Sequence, residues 1–327
     1  MDKLKNTIAS KILSNIPLRV KPIDYLMESL NISRESVYRR IRGDISFTFE
    51  EIAKLSIDLG FSIDELVMKD MPAHIFFDLH ASNTQDPSEV FLIKFQQYFQ
   101  NIFDTSSVKE IKSSMILNRV PLEFIVLFDT LFKFSYYRWM HQFQEISLKY
   151  SYSDIIVPDN LVCLQHQATE NLKRVYSNIF IFDSNIFLNL IREIQYYYKR
   201  RLISDDDYLR LKDDLAGLVD MVENIAQTGY YISNTKYSFY LSSLNIESSS
   251  RFTEFGEHVQ SQFFIEALEP ITISNPNLCA IHKKWLDSMR KYSTLISLSN
   301  EILQARYFNR QRAYIEEIAE NVSLISL

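Results

Sequence analysis

Apolar side chains recur at helical spacing from the start of the chain: Leu4, Ile8, Ile12 and Leu13, with Ile16 closing the stripe before Pro17. A second stripe, Ile23, Leu26, Met27 and Leu30, follows Pro22, a residue favoured in a first helical turn. Asn31 tolerates the left-handed backbone of a tight turn between helices, and Ile32 is expected to pack inward. Ser33 is the N-cap of a third helix. In it Val37 and Ile41 share a buried face, and Arg34, Ser36, Tyr38, Arg39, Arg40 and Arg42 take the remainder. Gly43 supplies its end. A fourth helix begins at Thr48, with Glu51 three residues on as a capping box, and is expected to bury Phe49, Ile52, Leu55, Ile57 and Leu59 before Gly60. Ser62 and Glu65 repeat that spacing and open a short fifth helix through Leu66.

Residues 71–87 read as a linker around a short apolar piece, Ile75-Phe76-Phe77, which fits a strand or a docking segment. Helical patterns then dominate: Ser88–Asp104, Pro121–Tyr150 as one or two helices, Asn160–Phe182 and Ser184–Arg201. Ser204 caps a helix to about Thr228 with Leu209, Leu211, Leu215, Leu218, Val222 and Ile225 inside, and Asn277–Leu295 and Ser299–Ile318 close the chain. Tyr237–Ser243 and Ser250–Phe255 alternate with period two. They predict a β-hairpin around Asn245–Ser249, with a third strand near Gln262–Ile265 or Pro270–Ile273. The predicted fold is therefore mainly α: a five-helix domain over 1–70, then a large helical domain over 88–327 with a small antiparallel β-hairpin insertion.

Two segments make the first domain specific. Residues 25–43, Tyr-Leu-Met-Glu-Ser-Leu-Asn-Ile-Ser-Arg-Glu-Ser-Val-Tyr-Arg-Arg-Ile-Arg-Gly, resemble the helix-turn-helix of phage-repressor/Cro-type (XRE-like) transcriptional regulators. Residues 48–66, from Thr48 to Leu66, are similar to the closing helices of that family. The resemblance covers about residues 3–70, a fifth of the chain. Two positions depart from it. Met27 stands where the family usually has a small residue, often Ala, and Asn31 where it often has Gly. The resemblance implies a lambda-repressor-like fold whose third helix enters the DNA major groove. Ser33, Arg34, Ser36, Tyr38 and Arg39 would then contact bases, and Arg19, Lys21, Arg40 and Arg42 phosphates. The second domain resembles, in a general way, uncharacterised helical C-terminal regions of bacterial regulators.

Charge supports the same reading. Residues 1–45 carry nine Lys/Arg against five Asp/Glu, while the whole chain is −6. Only five glycines leave little room for a phosphate-cradling loop, and no Walker, Rossmann, zincin or nucleophile-elbow motif is present. No catalytic residue, cofactor or metal is therefore assigned. Cys163/His166 and Cys279/His282 have zinc-compatible spacing within each pair, but they lie 112 or more residues apart in apolar helical patterns that read as packing. His74 and His80, six apart, have no ligand geometry on a helix, and Asp205-Asp206-Asp207 suits a helix first turn. Lys199-Arg200-Arg201 suits a helix end. The 19 Tyr and 23 Phe read as bulky helix-packing residues, with an aromatic ligand cage as the other reading.

Two cysteines make no disulfide framework, and no segment has the roughly 20 apolar residues of a membrane span. A cytoplasmic, non-enzymatic, dimeric regulator of double-stranded DNA is expected, its second domain dimerising, sensing a small-molecule or protein effector, or both. The alternative is a protein-interaction adaptor that reuses the helix-turn-helix fold.

Overall fold

A computed structural model describes residues 2–16, 20–61, 63, 86–103, 111–142, 150–172, 175–231, 235–265, 268 and 270–320. The chain divides into two compact units, Met1–Asp78 and Leu79–Leu327. The fifth helix expected at 62–66, the Ile75–Phe77 piece and most of the linker read at 71–87 lie outside the described residues.

Four described helices form the smaller unit: α1 (Asp2–Asn15), α2 (Pro22–Leu30), α3 (Arg34–Ile41) and α4 (Phe49–Leu59). Their stripes converge on one core of Ile12, Ile16, Leu26, Val37, Leu55 and Phe61, with Ile8, Leu13, Ile23, Met27, Leu30 and Ile41 packed around it. Asn31 ends α2 at φ +51°, and Gly60 ends α4 at φ +66°, the left-handed conformation that Asn tolerates and Gly adopts freely. Thr48 and Glu51 form the reciprocal capping box at the start of α4. Two residues assigned to the core of α4 are instead in solvent: Phe49 is 71% and Ile57 81% exposed. The buried stripe of α4 is narrow, and Leu55 is its one fully buried residue among those described.

The larger unit overturns the mainly α expectation. Among the described residues eight α-helices, α5 (Pro87–Phe103), α6 (Leu122–Ile125), α7 (Asp129–Gln142), α8 (Asp159–Leu172), α9 (Ile186–Lys199), α10 (Asp205–Thr228), α11 (Pro276–Lys291) and α12 (Glu301–Glu320), accompany an eight-stranded mixed sheet. Its strands are β1 (Ile111–Leu117), β2 (Val175–Phe182), β3 (Tyr230–Tyr231), β4 (Thr235–Ser242), β5 (Ser250–Phe255), β6 (His258–Phe264), β7 (Pro270–Ile273) and β8 (Ser293–Leu295). The order is β3-β4-β2-β1-β5-β6-β7, with β8 also paired to β4. β1, β2 and β4 run parallel, and β5, β6 and β7 extend the sheet antiparallel. The fold is a sizeable α/β arrangement. The two period-two segments are strands, but they do not form a hairpin with each other. β4 pairs with β2 and β5 with β1, so two strands separate them.

Burial and polar interruptions together explain the difference. β1 and β2 are covered on both faces over part of their length and carry polar residues at Lys112–Ser114 and Ser177–Asn178, so neither a continuous apolar run nor a clean period of two marks them. On one face Met115, Leu117, Phe180, Phe182, Phe239 and Leu241 join the main core with residues of α5, α7, α9, α10 and α12. On the other, Ile116, Ile181 and Phe252 pack against Cys279 and Leu286 of α11. The helix expected over Asn160–Phe182 is therefore two elements: α8 stops at Leu172 and β2 begins at Val175. Part of the aromatic surplus lies on this sheet: the Phe182 and Phe239 ring centroids are 5.1 Å apart, and those of Phe180 and Tyr237 5.9 Å. Leu209, assigned inside α10, is 56% exposed, while Leu211, Leu215, Leu218, Val222 and Ile225 are buried as expected.

His282 anchors α11 to the sheet. Its ring nitrogens meet the Ser250 hydroxyl at 2.9 Å and the Ser261 hydroxyl at 2.8 Å, all three residues being buried. Burial pushes the imidazole down from 6.5 to about 4. The folded state thus favours neutral imidazole. The associated stability is full above the unfolded value near 6.5 and is lost as pH falls towards 4. At 1.36 kcal/mol per unit, the loss by pH 4 is about 3 kcal/mol. Urea unfolding followed from pH 7 to 4 is expected to show this loss in the wild type. In His282→Gln the slope should be shallower by that amount; equal slopes in the two proteins would remove His282 as its source.

Candidate nucleic-acid interface

The turn and the cap fix where α3 begins. The Asn31 and Ile32 amides both donate to the Met27 carbonyl, the latter at 3.3 Å, which closes α2 and redirects the chain at once. Ser33, extended at φ −68° and ψ 154°, caps α3 by accepting from the Ser36 amide at 3.3 Å, and its hydroxyl donates to the Ser36 hydroxyl at 3.0 Å. One buried residue, Val37, holds the inner face of α3 against the core.

The outer face carries Arg34, Glu35, Tyr38 and Arg39, all exposed, with Arg42 just beyond the last turn. The Arg34 guanidinium lies 6.0 Å from the Tyr38 ring centroid, an arrangement that stiffens a planar donor fork. Arg42 is exposed and 3.9 Å from Asp44, a separation at which a surface pair contributes little. Lys21 is exposed immediately before α2, and Arg19 lies outside the described residues. Ser33, Arg34, Ser36, Tyr38 and Arg39, the residues expected to contact bases, thus lie along a single short helix and its cap.

Arg40 is different. Its Nε donates to Glu51 Oε2 at 2.9 Å and its Nη2 to Glu51 Oε1 at 2.8 Å, and only 13% of its side chain is exposed. Glu51 Oε2 also accepts the Thr48 amide at 2.9 Å. One carboxylate therefore closes the capping box of α4 and clamps α3 in a bidentate pair. The phosphate contact expected of Arg40 gives way to this role, because the outward turn of α3 that Arg39 occupies points Arg40 at α4. Arg40 is a positioning residue.

Glu35, which is not among the residues expected to contact DNA, shares the exposed face. It is exposed in the first turn of α3, where a carboxylate suits the helix dipole and can accept from a cytosine amino group.

The remaining sequence candidates scatter. Cys163 is exposed on α8, with Gln167 Nε2 3.6 Å from its sulfur. Cys279 is buried on α11, and its thiol donates to the Ile273 carbonyl. Both nitrogens of His282 are taken by serines. Among the described residues no group of three or more His, Cys, Asp or Glu converges on a metal position. His74 and His80 lie outside the described residues. Asp207 accepts from the Ser153 and Ser204 hydroxyls, and Asp205 from Tyr198, so the acidic run serves the start of α10. Arg200, at the end of α9, stacks over the Tyr196 ring at 5.3 Å. Among the described residues no helix is long and apolar enough to cross a membrane.

Compared with known proteins, the chain matches no family model, no curated protein and no solved structure.

Proposed function

We propose that this protein is a sequence-specific DNA-binding transcriptional regulator that inserts α3 into the major groove. One observation carries the reading. A short helix shows an exposed face of Arg34, Tyr38 and Arg39, while its opposite face is locked by Val37 and the Arg40–Glu51 pair. A helix fits the major groove of B-form DNA, its N-terminal residues face base edges, and arginine reads guanine with two parallel hydrogen bonds. Ser33, Arg34, Ser36, Tyr38 and Arg39 would meet bases, with Glu35 beside them. Lys21, Arg42 and Arg19 would meet phosphates, which position the helix without reading sequence. Two copies would bind half-sites about 34 Å apart, or a multiple of that spacing. The larger unit would supply dimerisation, signal sensing, or both, in a cytoplasmic protein.

Salt dependence tests this directly. Three phosphate contacts per copy, six per dimer, give a slope of log affinity against log salt of about −5, at −0.9 per neutralised phosphate. The measurement is a fluorescence-anisotropy titration of the full chain with genomic duplex fragments at several salt concentrations. Binding that ignores ionic strength would exclude phosphate neutralisation and with it this reading.

A protein-interaction adaptor is favoured by a different observation, the exposed Phe49 and Ile57 of α4. That reading predicts partner capture that survives Arg34→Glu and Arg39→Glu and is lost on Phe49→Ser and Ile57→Ser.

A further inference from the structure

A cavity of about 430 Å³ opens in the larger unit, where the sheet changes from parallel to antiparallel. It lies at the carboxyl end of β1, lined by Leu117 and the following turn through Asn118 and Arg119. In open α/β sheets, ligands sit in the crevice outside the carboxyl ends of the parallel strands. The turn is firmly held. Ser249 Oγ donates to Asn118 Oδ1 at 2.8 Å, Asn118 Nδ2 donates to the Glu247 carbonyl at 2.8 Å, and Asn189 Nδ2 reaches the Asn118 carbonyl. The volume lies within the usual range for small-molecule sites.

The lining has two characters. Tyr98, Trp139, Phe264, Ile186 and Leu190 give apolar and aromatic walls. Three arginines, Arg119 from the turn, Arg138 from α7 and Arg192 from α9, line it together with Glu193, which pairs with Arg138. Arg138 Nε is buried and has no hydrogen-bond partner among the described residues. A buried N–H donor without an acceptor is costly unless something accepts from it.

We propose that this cavity binds a small organic anion, its carboxylate or phosphate held by Arg119, Arg138 and Arg192 and its apolar body against Trp139 and Tyr98. Bidentate geometry suits guanidinium to both head groups, and the aromatic walls suit a ring or short chain. Binding rests on the larger unit alone and does not depend on DNA recognition. Only the use of the ligand as a regulatory signal depends on that reading.

Trp139 is its own reporter once the second tryptophan, Trp285, is removed by Trp285→Phe in the full chain. Benzoate and phenyl phosphate are the probes, and benzyl alcohol is the neutral control of similar size. Both anions are expected to change Trp139 emission saturably, and benzyl alcohol is expected to leave it unchanged at the same concentrations. A tighter response to one anion names the head group. Arg192→Ala and Arg192→Gln, at an exposed position, should each weaken anion binding roughly tenfold or more, while Arg200→Ala on the same helix leaves it unchanged. The proposal is overturned if neither anion saturates, if benzyl alcohol responds as they do, or if both Arg192 variants bind unaltered. Loss of DNA binding with the anion response intact would refute the regulator reading and spare this one.

Discussion

Glu123→Ala is expected to lower the unfolding free energy of the larger unit by about 3–5 kcal/mol, the cost of leaving a buried charge without its partner. Glu123 sits in the fully buried helix α6 and accepts from Arg251 of β5 and from the Tyr98 hydroxyl of α5, the latter at 2.8 Å. Arg251 is 4% exposed, between the Tyr98 ring at 4.8 Å and the Phe264 ring at 5.6 Å. Without the carboxylate, its contact among the described residues is a weak one to Gln262 at 3.4 Å, and its Nε already lacks a partner there. Glu123→Gln keeps an acceptor and is expected to cost less. Replacing both, Glu123→Leu with Arg251→Met, should recover most of the loss, because two apolar groups need no compensation. Urea unfolding of the wild type, Glu123→Leu, Arg251→Met and the double variant closes a double-mutant cycle. A Glu123→Ala cost under about 1 kcal/mol would show that the pair is not desolvated in solution. Tyr98 and Phe264 also line the cavity, so the same pair holds part of its wall.

Replacing Arg34 and Arg39 together by alanine is expected to weaken binding to the cognate duplex by about 2–6 kcal/mol, roughly 30-fold to 10⁴-fold, at 1–3 kcal/mol for each arginine that reads a base. Binding to unrelated DNA should fall far less, since phosphate contacts from Lys21 and Arg42 persist. Arg40→Ala gives the informative contrast. It removes the Glu51 clamp, so it should lower stability by about 1.5–3 kcal/mol and weaken all duplexes alike. Arg40→Lys keeps the charge but not the two parallel hydrogen bonds and should recover little. Parallel competition titrations separate the two patterns. Equal loss of specificity from Arg40→Ala and from the Arg34/Arg39 pair would show that α3 is not the reading element.

The smaller unit was legible because its signals are local. Asn31, Ser33, Gly43, Thr48 with Glu51, and Gly60 each satisfy a backbone requirement within four residues, so the turns and caps can be placed from sequence. The direction of individual side chains could not be. Arg39 and Arg40 are neighbours with the same chemistry, yet one faces solvent and the other a carboxylate eleven residues away. Phe49 and Ile57 look like core residues and are not, because nothing among the described residues covers their side of α4.

In the larger unit the sequence determined helix positions well where they are amphipathic: α5, α9 and α10 lie within two residues of their expected starts. It also determined that strands occur after residue 235. Only the tertiary structure decided that Ile111–Leu117 and Val175–Phe182 are central strands, that β4 and β5 are separated by them, and that Arg119, Arg138 and Arg192 share one cavity. The physical reason is range. Helical periodicity and caps act over a few residues, whereas parallel pairing joins segments about 60 residues apart, and the polar residues inside β1 and β2 break the apolar pattern that would have announced them.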